Sequence, residues 1–218
     1  MTERSYREKE THFSWWMPTY VTVLIMGISI LIMFNIDELT ARSMMNDDGL
    51  VQILTAVILN AGWIFCLQRA LRKIPPALMW GELSYLILIY AMREMDFHRL
   101  TTGETADRLI FFTGPYPLHE KIIGGIIWLV FVVVMLHFIA SNFRYFWNAL
   151  KTKQSWAVHV LIWAFLFSSS QALDKSIWHG DFAEVAFEEN MEFGAAIVLL
   201  MVLLKYPLNV SERPSAFQ

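Results

Sequence analysis

One cysteine, Cys66, stands among 218 residues, and that scarcity excludes an intrachain disulfide and any metal knuckle built on thiolates. Charge is scarce too. Asp, Glu, Lys and Arg make up 17% of the chain, against roughly 25% in a soluble domain. No Gly-rich phosphate loop, internal repeat or low-complexity tract occurs. The basic residues are scattered, so no nucleic-acid footprint is present. H-E-x-x-H is absent, as is the paired Glu-x-x-His of carboxylate-bridged di-iron bundles. No small-residue cleavage site follows the first apolar run, which therefore reads as a retained helix rather than a signal peptide.

What the chain has instead is apolar length. Hydrophobic residues reach 56% and aromatics 15%, with nine Trp, as suits many helix ends at a lipid interface. A spanning helix needs about 20 mostly apolar residues, and six stretches meet or approach that: 18–36, 50–71, 77–97, 122–143, 156–173 and 187–206. The pattern predicts an all-α polytopic membrane protein, one integral membrane domain built as a six-transmembrane-helix bundle. Cys66 falls mid-span, where it reads as a small buried hydrophobe.

Orientation follows from the basic residues. Eleven of the 17 Lys and Arg lie in the N-terminal tail, the 2–3 and 4–5 connections and the C-terminal end, leaving Arg42, Arg93, Arg99, Arg108, Lys121 and Lys175 on the other side. The positive-inside rule then places both termini in the cytoplasm and the protein in the plasma (cytoplasmic or inner) membrane. The acids show the complementary bias, with 15 of 20 at or near the outer side.

This topology brings four charged segments to one depth near the outer interface. Helix three ends in Arg93-Glu94-Met95-Asp96-Phe97-His98, and helix four begins at His119-Glu120-Lys121. Helix five ends with Asp174 and Lys175, and helix six begins with Glu188, Glu189 and Glu192. Tyr90, Glu94 and His98 share a helix face at spacing four, as do Glu188 and Glu192. Carboxylates this crowded beside a low-dielectric region cannot all stay ionised unpaired. Protons on the acids, protonated histidines, or a divalent cation would each relieve them. Oxygen and imidazole ligands suit zinc, manganese or iron, and the metal set would be Glu94, Asp96, His98, Glu188 and Glu192. His119 and Asp174 would then serve as ligand or general base, with Arg93, Lys121 and Lys175 orienting carboxylates or gripping a phosphate head group. Set against this is a structural network that locks helix ends together while surplus acids face water.

A second constellation lies on the inner side. His137 and His159 sit at similar depth on adjacent helices, a spacing that axial haem ligation would use. Lone histidines near a Trp-rich interface are more often hydrogen-bonded, which weighs against haem. Glu82 stands apart in helix three. It either reaches the inner interface or, facing inward with Asn60 or Gln68, serves proton movement. Ser168, Ser169 and Ser170 read as helix-contact hydroxyls. An apolar run, Leu109 to Phe112, suits an interfacial segment in the outer loop.

Three functions are compatible with these residues. The first is a metal-assisted enzyme open to the outer leaflet, acting on a lipid or lipid-linked substrate. The second is a non-enzymatic membrane subunit, a sensor or transport component, that uses the same charges as a packing or proton-linked network. The third is a b-type haem electron-transfer protein. The expected partners are membrane lipid and other membrane subunits or further copies of the chain.

Overall fold

The fold is taken from a computed structural model that describes residues 12–45, 49–95, 113–115, 117–174 and 182–205. Among these residues there are seven α-helices and no strands. They are α1 (His12–Asn35), α2 (Glu38–Met45), α3 (Leu50–Leu71), α4 (Ala77–Glu94), α5 (Leu118–Lys151), α6 (Ser155–Asp174) and α7 (Phe182–Lys205). Three helical segments are long and apolar enough to cross a membrane: Leu50–Leu71, Leu118–Lys151 and Ser155–Leu173. In α1 the apolar stretch is shorter, Trp16–Ile32. Charges interrupt α4 (Glu82, Arg93, Glu94) and α7 (Glu184, Glu188, Glu189, Glu192), so these two helices are less uniformly apolar. The apolar helices point to a membrane protein.

Several boundaries depart from the sequence reading, α7 starting at Phe182 rather than 187 among them, and the two largest departures have identifiable reasons. The first helix starts at His12 rather than Pro18, so Pro18 lies inside it. A proline there removes only one bond to the preceding turn, a loss that membrane helices tolerate. The fourth stretch, expected to end at 143, continues to Lys151. Nothing in Ser141 to Lys151 breaks a helix, and the connection to α6 shrinks to three residues.

Two helix ends share one device. At the end of α3 the Lys73 N–H donates to the Ala70 carbonyl and the Ile74 N–H to that of Arg69, each at 3.0 Å. At the end of α5 the Lys153 N–H donates to Leu150 at 3.0 Å and the Gln154 N–H to Ala149 at 2.8 Å. This is the Schellman pattern, which needs one residue in left-handed backbone. Lys73 (φ 51°) and Lys153 (φ 53°) occupy that position, where glycine is usual. A cation beside the helix C-terminal carbonyls is electrostatically favourable, but a side chain pays in backbone energy. Lys73→Gly and Lys153→Gly should therefore each raise stability, by up to about 1 kcal/mol once glycine's added chain entropy is set against relief of the left-handed strain. Thermal unfolding in detergent measures it.

Asp37 caps α2. Its Oδ1 accepts the Thr40 N–H at 2.9 Å, the usual N-cap bond. That bond holds the Asp37 carboxyl below its ordinary value of 3.8. The cap is thus complete above pH 3.8 and is lost as pH falls through the lowered value. The Thr40 amide resonance should accordingly titrate with a midpoint below 3.8.

The chain divides into two compact units. Among the described residues, one takes those up to 55 and from 148 onward; the other holds those between 56 and 147. In the first, α7 is central and packs on α6 and α1. Phe193 to Val198 form a continuous buried run on α7. Leu166, Ala195, Val198 and Val202 make the core there, with Met26, Val160 and Trp163 against it. The small residues Gly194, Ala195 and Ala196 permit the close approach. In the second unit Trp80 is fully buried. The Arg69 guanidinium lies 4.9 Å from the ring centres of both Phe65 and Trp80. This cation–π clamp ties the end of α3 to the start of α4.

Candidate functional site

The polar groups that the fold brings together lie mostly inside the apolar helices. In the second unit two side-chain contacts join α4 to α5 in antiparallel order, Glu82 to His137 and Tyr85 to Ile127. Glu82 on α4 is buried, and its Oε1 is in direct contact with Nδ1 of His137 on α5. One turn further along α5, the Ser141 hydroxyl lies 3.4 Å from Nε2 of the same ring. The Tyr85 hydroxyl donates to the Ile127 carbonyl at 3.5 Å. The carboxylate side chain is 10% exposed and the imidazole 53%, so the pair has a buried end and an open end. Burying an ionisable group among apolar helices is costly without a partner; His137 is that partner.

Hydroxyl, imidazole and carboxylate in this order resemble the nucleophile, base and orienting acid of a hydrolase. Two features oppose that role. The Ser141–His137 distance of 3.4 Å exceeds normal hydrogen-bond length. Ser141 also sits in mid-helix, where backbone N–H groups are taken by the carbonyls one turn back, so no oxyanion donor pair faces it.

In the first unit His159 is fully buried. Its Nδ1 lies 2.6 Å from the Ser155 carbonyl, which can only accept, so Nδ1 carries the hydrogen. Nε2 of the neutral ring then accepts the Thr19 hydroxyl of α1 at 3.0 Å. Trp16 meets the ring edge-on, centroids 6.4 Å apart. Protein atoms thus hold both nitrogens of His159 and Nδ1 of His137, and the two rings belong to different units. An axial role in haem would require His159 to surrender a bond. The sequence placed His137 and Glu82 at similar depth on consecutive helices, and that coincidence was the available signal for their pairing. Nothing in the sequence marked Thr19 or Ser155.

The acidic set at the helix ends divides between the units. Arg93, Glu94, His119 and Lys121 fall in the second; Asp174, Glu188 and Glu192 fall in the first. Asp96, His98, Lys175 and the interfacial run Leu109 to Phe112 lie outside the described residues, as does the side chain of Asp174. Glu94 and Glu192 are both buried, at 6% exposure. The Gln171 amide donates to Glu192 Oε1 at 3.0 Å, linking α6 to α7. The ammonium of Lys121 donates to the Gly114 carbonyl at 2.7 Å and so closes the turn before its own helix. His119 is largely exposed, 3.9 Å from Glu120. Among the described residues no three His, Cys, Asp or Glu side chains gather as metal ligands would. Asn60, which the sequence offered to Glu82, gives its amide to the Ala56 carbonyl instead, and Gln68 is exposed. The Ser170 hydroxyl donates to the Phe167 carbonyl at 2.9 Å, a satisfied helix-contact group.

No protein-family model, curated protein or solved structure matches this chain.

Proposed function

We propose that the chain is a non-enzymatic integral membrane component, a sensor or transport subunit, whose conformation is linked to protons through Glu82 and His137. One observation carries this reading: a buried carboxylate on one apolar helix meets a half-exposed imidazole on the next. Histidine is the side chain whose ordinary titration falls in the physiological range. Moving a proton onto or off this pair changes the charge between two helices, and so the cost of their packing. The buried acids Glu94 and Glu192, with the Gln171 bond to the latter, fit the same scheme as a packing network. In this reading the chain crosses the plasma membrane six times with both termini cytoplasmic, as the distribution of Lys and Arg supports. Glu82 and His137 then lie in the cytoplasmic half.

The test is the unfolding midpoint in detergent between about pH 5 and 8 for wild type, Glu82→Gln and His137→Gln. Proton linkage through the pair requires the pH slope of the wild type to flatten in both variants. Parallel slopes for all three would sink it.

The metal-assisted reading of the outer acids has its own readout. Elemental analysis of protein purified without chelator should find well under one zinc, manganese or iron per chain. A stoichiometric metal that disappears in Glu94→Gln and Glu192→Gln would instead restore a lipid-directed enzyme.

A further inference from the structure

One face of α5 turns polar where its apolar stretch ends. His137, Ser141 and Arg144 follow one another at spacings of four and three, so they lie on one stripe of a single unbroken helix. Ser141 and Arg144 are exposed, and the His137 imidazole is half-exposed. Beside them the rings of Phe143 and Trp147 stack with centroids 6.2 Å apart, and both residues are exposed. Exposed aromatics and an arginine at the end of an apolar helix mark the membrane–water interface.

The stripe presents donors without a counter-ion. Nδ1 of His137 is occupied by Glu82, while Nε2 is directed along the helix, 3.4 Å from the Ser141 hydroxyl. Long side chains on a helix lean toward its N-terminus and cover the preceding turn, which directs Arg144 toward Ser141. Among the described residues no carboxylate pairs with Arg144. With Glu82 ionised and His137 protonated, the charge of Arg144 is left over. A ligand with one negative charge and several acceptor oxygens would balance it. A phosphodiester at the interface has both, and arginine binds phosphate well.

We propose that Ser141 and Arg144, together with Nε2 of His137, bind the phosphate of an anionic phospholipid. The guanidinium and the Ser141 hydroxyl donate to phosphate oxygens, and so does the Nε2–H of the protonated ring. A phosphodiester only accepts, so a neutral ring with its hydrogen on Nδ1 takes up one proton from water as the lipid binds. A zwitterionic headgroup carries its own cation and leaves the charge of Arg144 uncancelled. In the topology proposed above the site faces the cytoplasmic leaflet, where anionic lipids give the surface its negative potential. The part played by the ring rests on the proton-linked reading of the Glu82–His137 pair, and the lipid then governs how readily that pair is charged.

Native mass spectrometry of the full chain in maltoside detergent reads bound lipid directly. Phosphatidylglycerol should be retained about tenfold or more better than phosphatidylcholine. Arg144→Gln should lower that retention by about tenfold and Ser141→Ala by about threefold. Arg72→Gln, at an exposed arginine just past the end of α3, should leave it unchanged. Retention should be weaker at about pH 8 than at about pH 6, and His137→Gln should remove the difference. Equal retention of the two lipids overturns the proposal. So does an equal loss in Arg72→Gln and Arg144→Gln, which would mean diffuse attraction. Displacement of the lipid by inorganic phosphate at the same concentration would assign the site to a soluble anion and overturn it too. Retention independent of pH would take His137 out of the site and overturn the three-donor arrangement. The unfolding slopes of lipid-free protein report on the Glu82–His137 pair alone, so this site and that linkage fail separately.

Discussion

His137→Leu is expected to destabilise the second unit by about 1–3 kcal/mol, while Glu82→Leu/His137→Leu lies within about 1 kcal/mol of wild type. The asymmetry follows from which partner is buried. Removing His137 leaves Glu82 at 10% side-chain exposure with its ring contact gone. The carboxylate must then take up a proton or draw water between α4 and α5. The half-exposed imidazole keeps the penalty below that of a fully buried ion pair. Removing both partners abolishes the desolvation problem and gives the helices an apolar contact instead. Glu82→Gln retains a side chain able to meet His137 and should cost less than His137→Leu. Chemical or thermal unfolding of wild type, Glu82→Leu, His137→Leu and the double variant measures the cycle. A double variant as unstable as the sum of the two single ones would show that the pair contributes shape alone.

The second large effect lies in the first unit, at Gly194. A Cβ built there would overlap the Met26 sulfur and lie 3.2 and 3.3 Å from Met26 Cγ and Cε. A methionine end can swing away, so Gly194→Ala should cost little. Gly194→Ile adds branched bulk at the same contact and should cost about 1–3 kcal/mol, since α7 is enclosed on both sides of this position. Met26→Ala clears the space. Combined with Gly194→Ile it should cost less than the sum of the two single substitutions, by about 1 kcal/mol or more. Strict additivity would mean that Met26 is not what fills the groove at Gly194.

Much of the helical plan was legible in residue patterns, because apolar length is a coarse signal that lipid-exposed helices amplify. Leu50–Leu71 is bounded in sequence by the Gly49 and Pro75 regions and forms a helix of that extent. The end of α5 was not legible. Sequence marked 144–155 as a loop by its charges, yet Arg144 and Lys151 lie on the helix surface and only the left-handed Lys153 ends it. Glu82 and His137 were each noticed, but as unrelated candidates, because a helical pattern shows depth and not rotation about the axis. The partners of His159 were opaque for another reason. Threonine and serine are common in membrane helices, where they usually bond their own backbone, as Thr55 does to the Val51 carbonyl at 2.9 Å.

The length of α5 has a consequence for the bilayer itself. Thirty-four residues rise roughly 51 Å, whereas a hydrocarbon core is about 30 Å thick. Among the described residues Ala149 is the one buried position along it. The apolar part of α5, 122–143, rises roughly 33 Å and already matches that thickness. In the proposed topology the remaining turns, which carry Arg144, Trp147 and Lys151, therefore stand in the headgroup layer as a cytoplasmic extension of the helix.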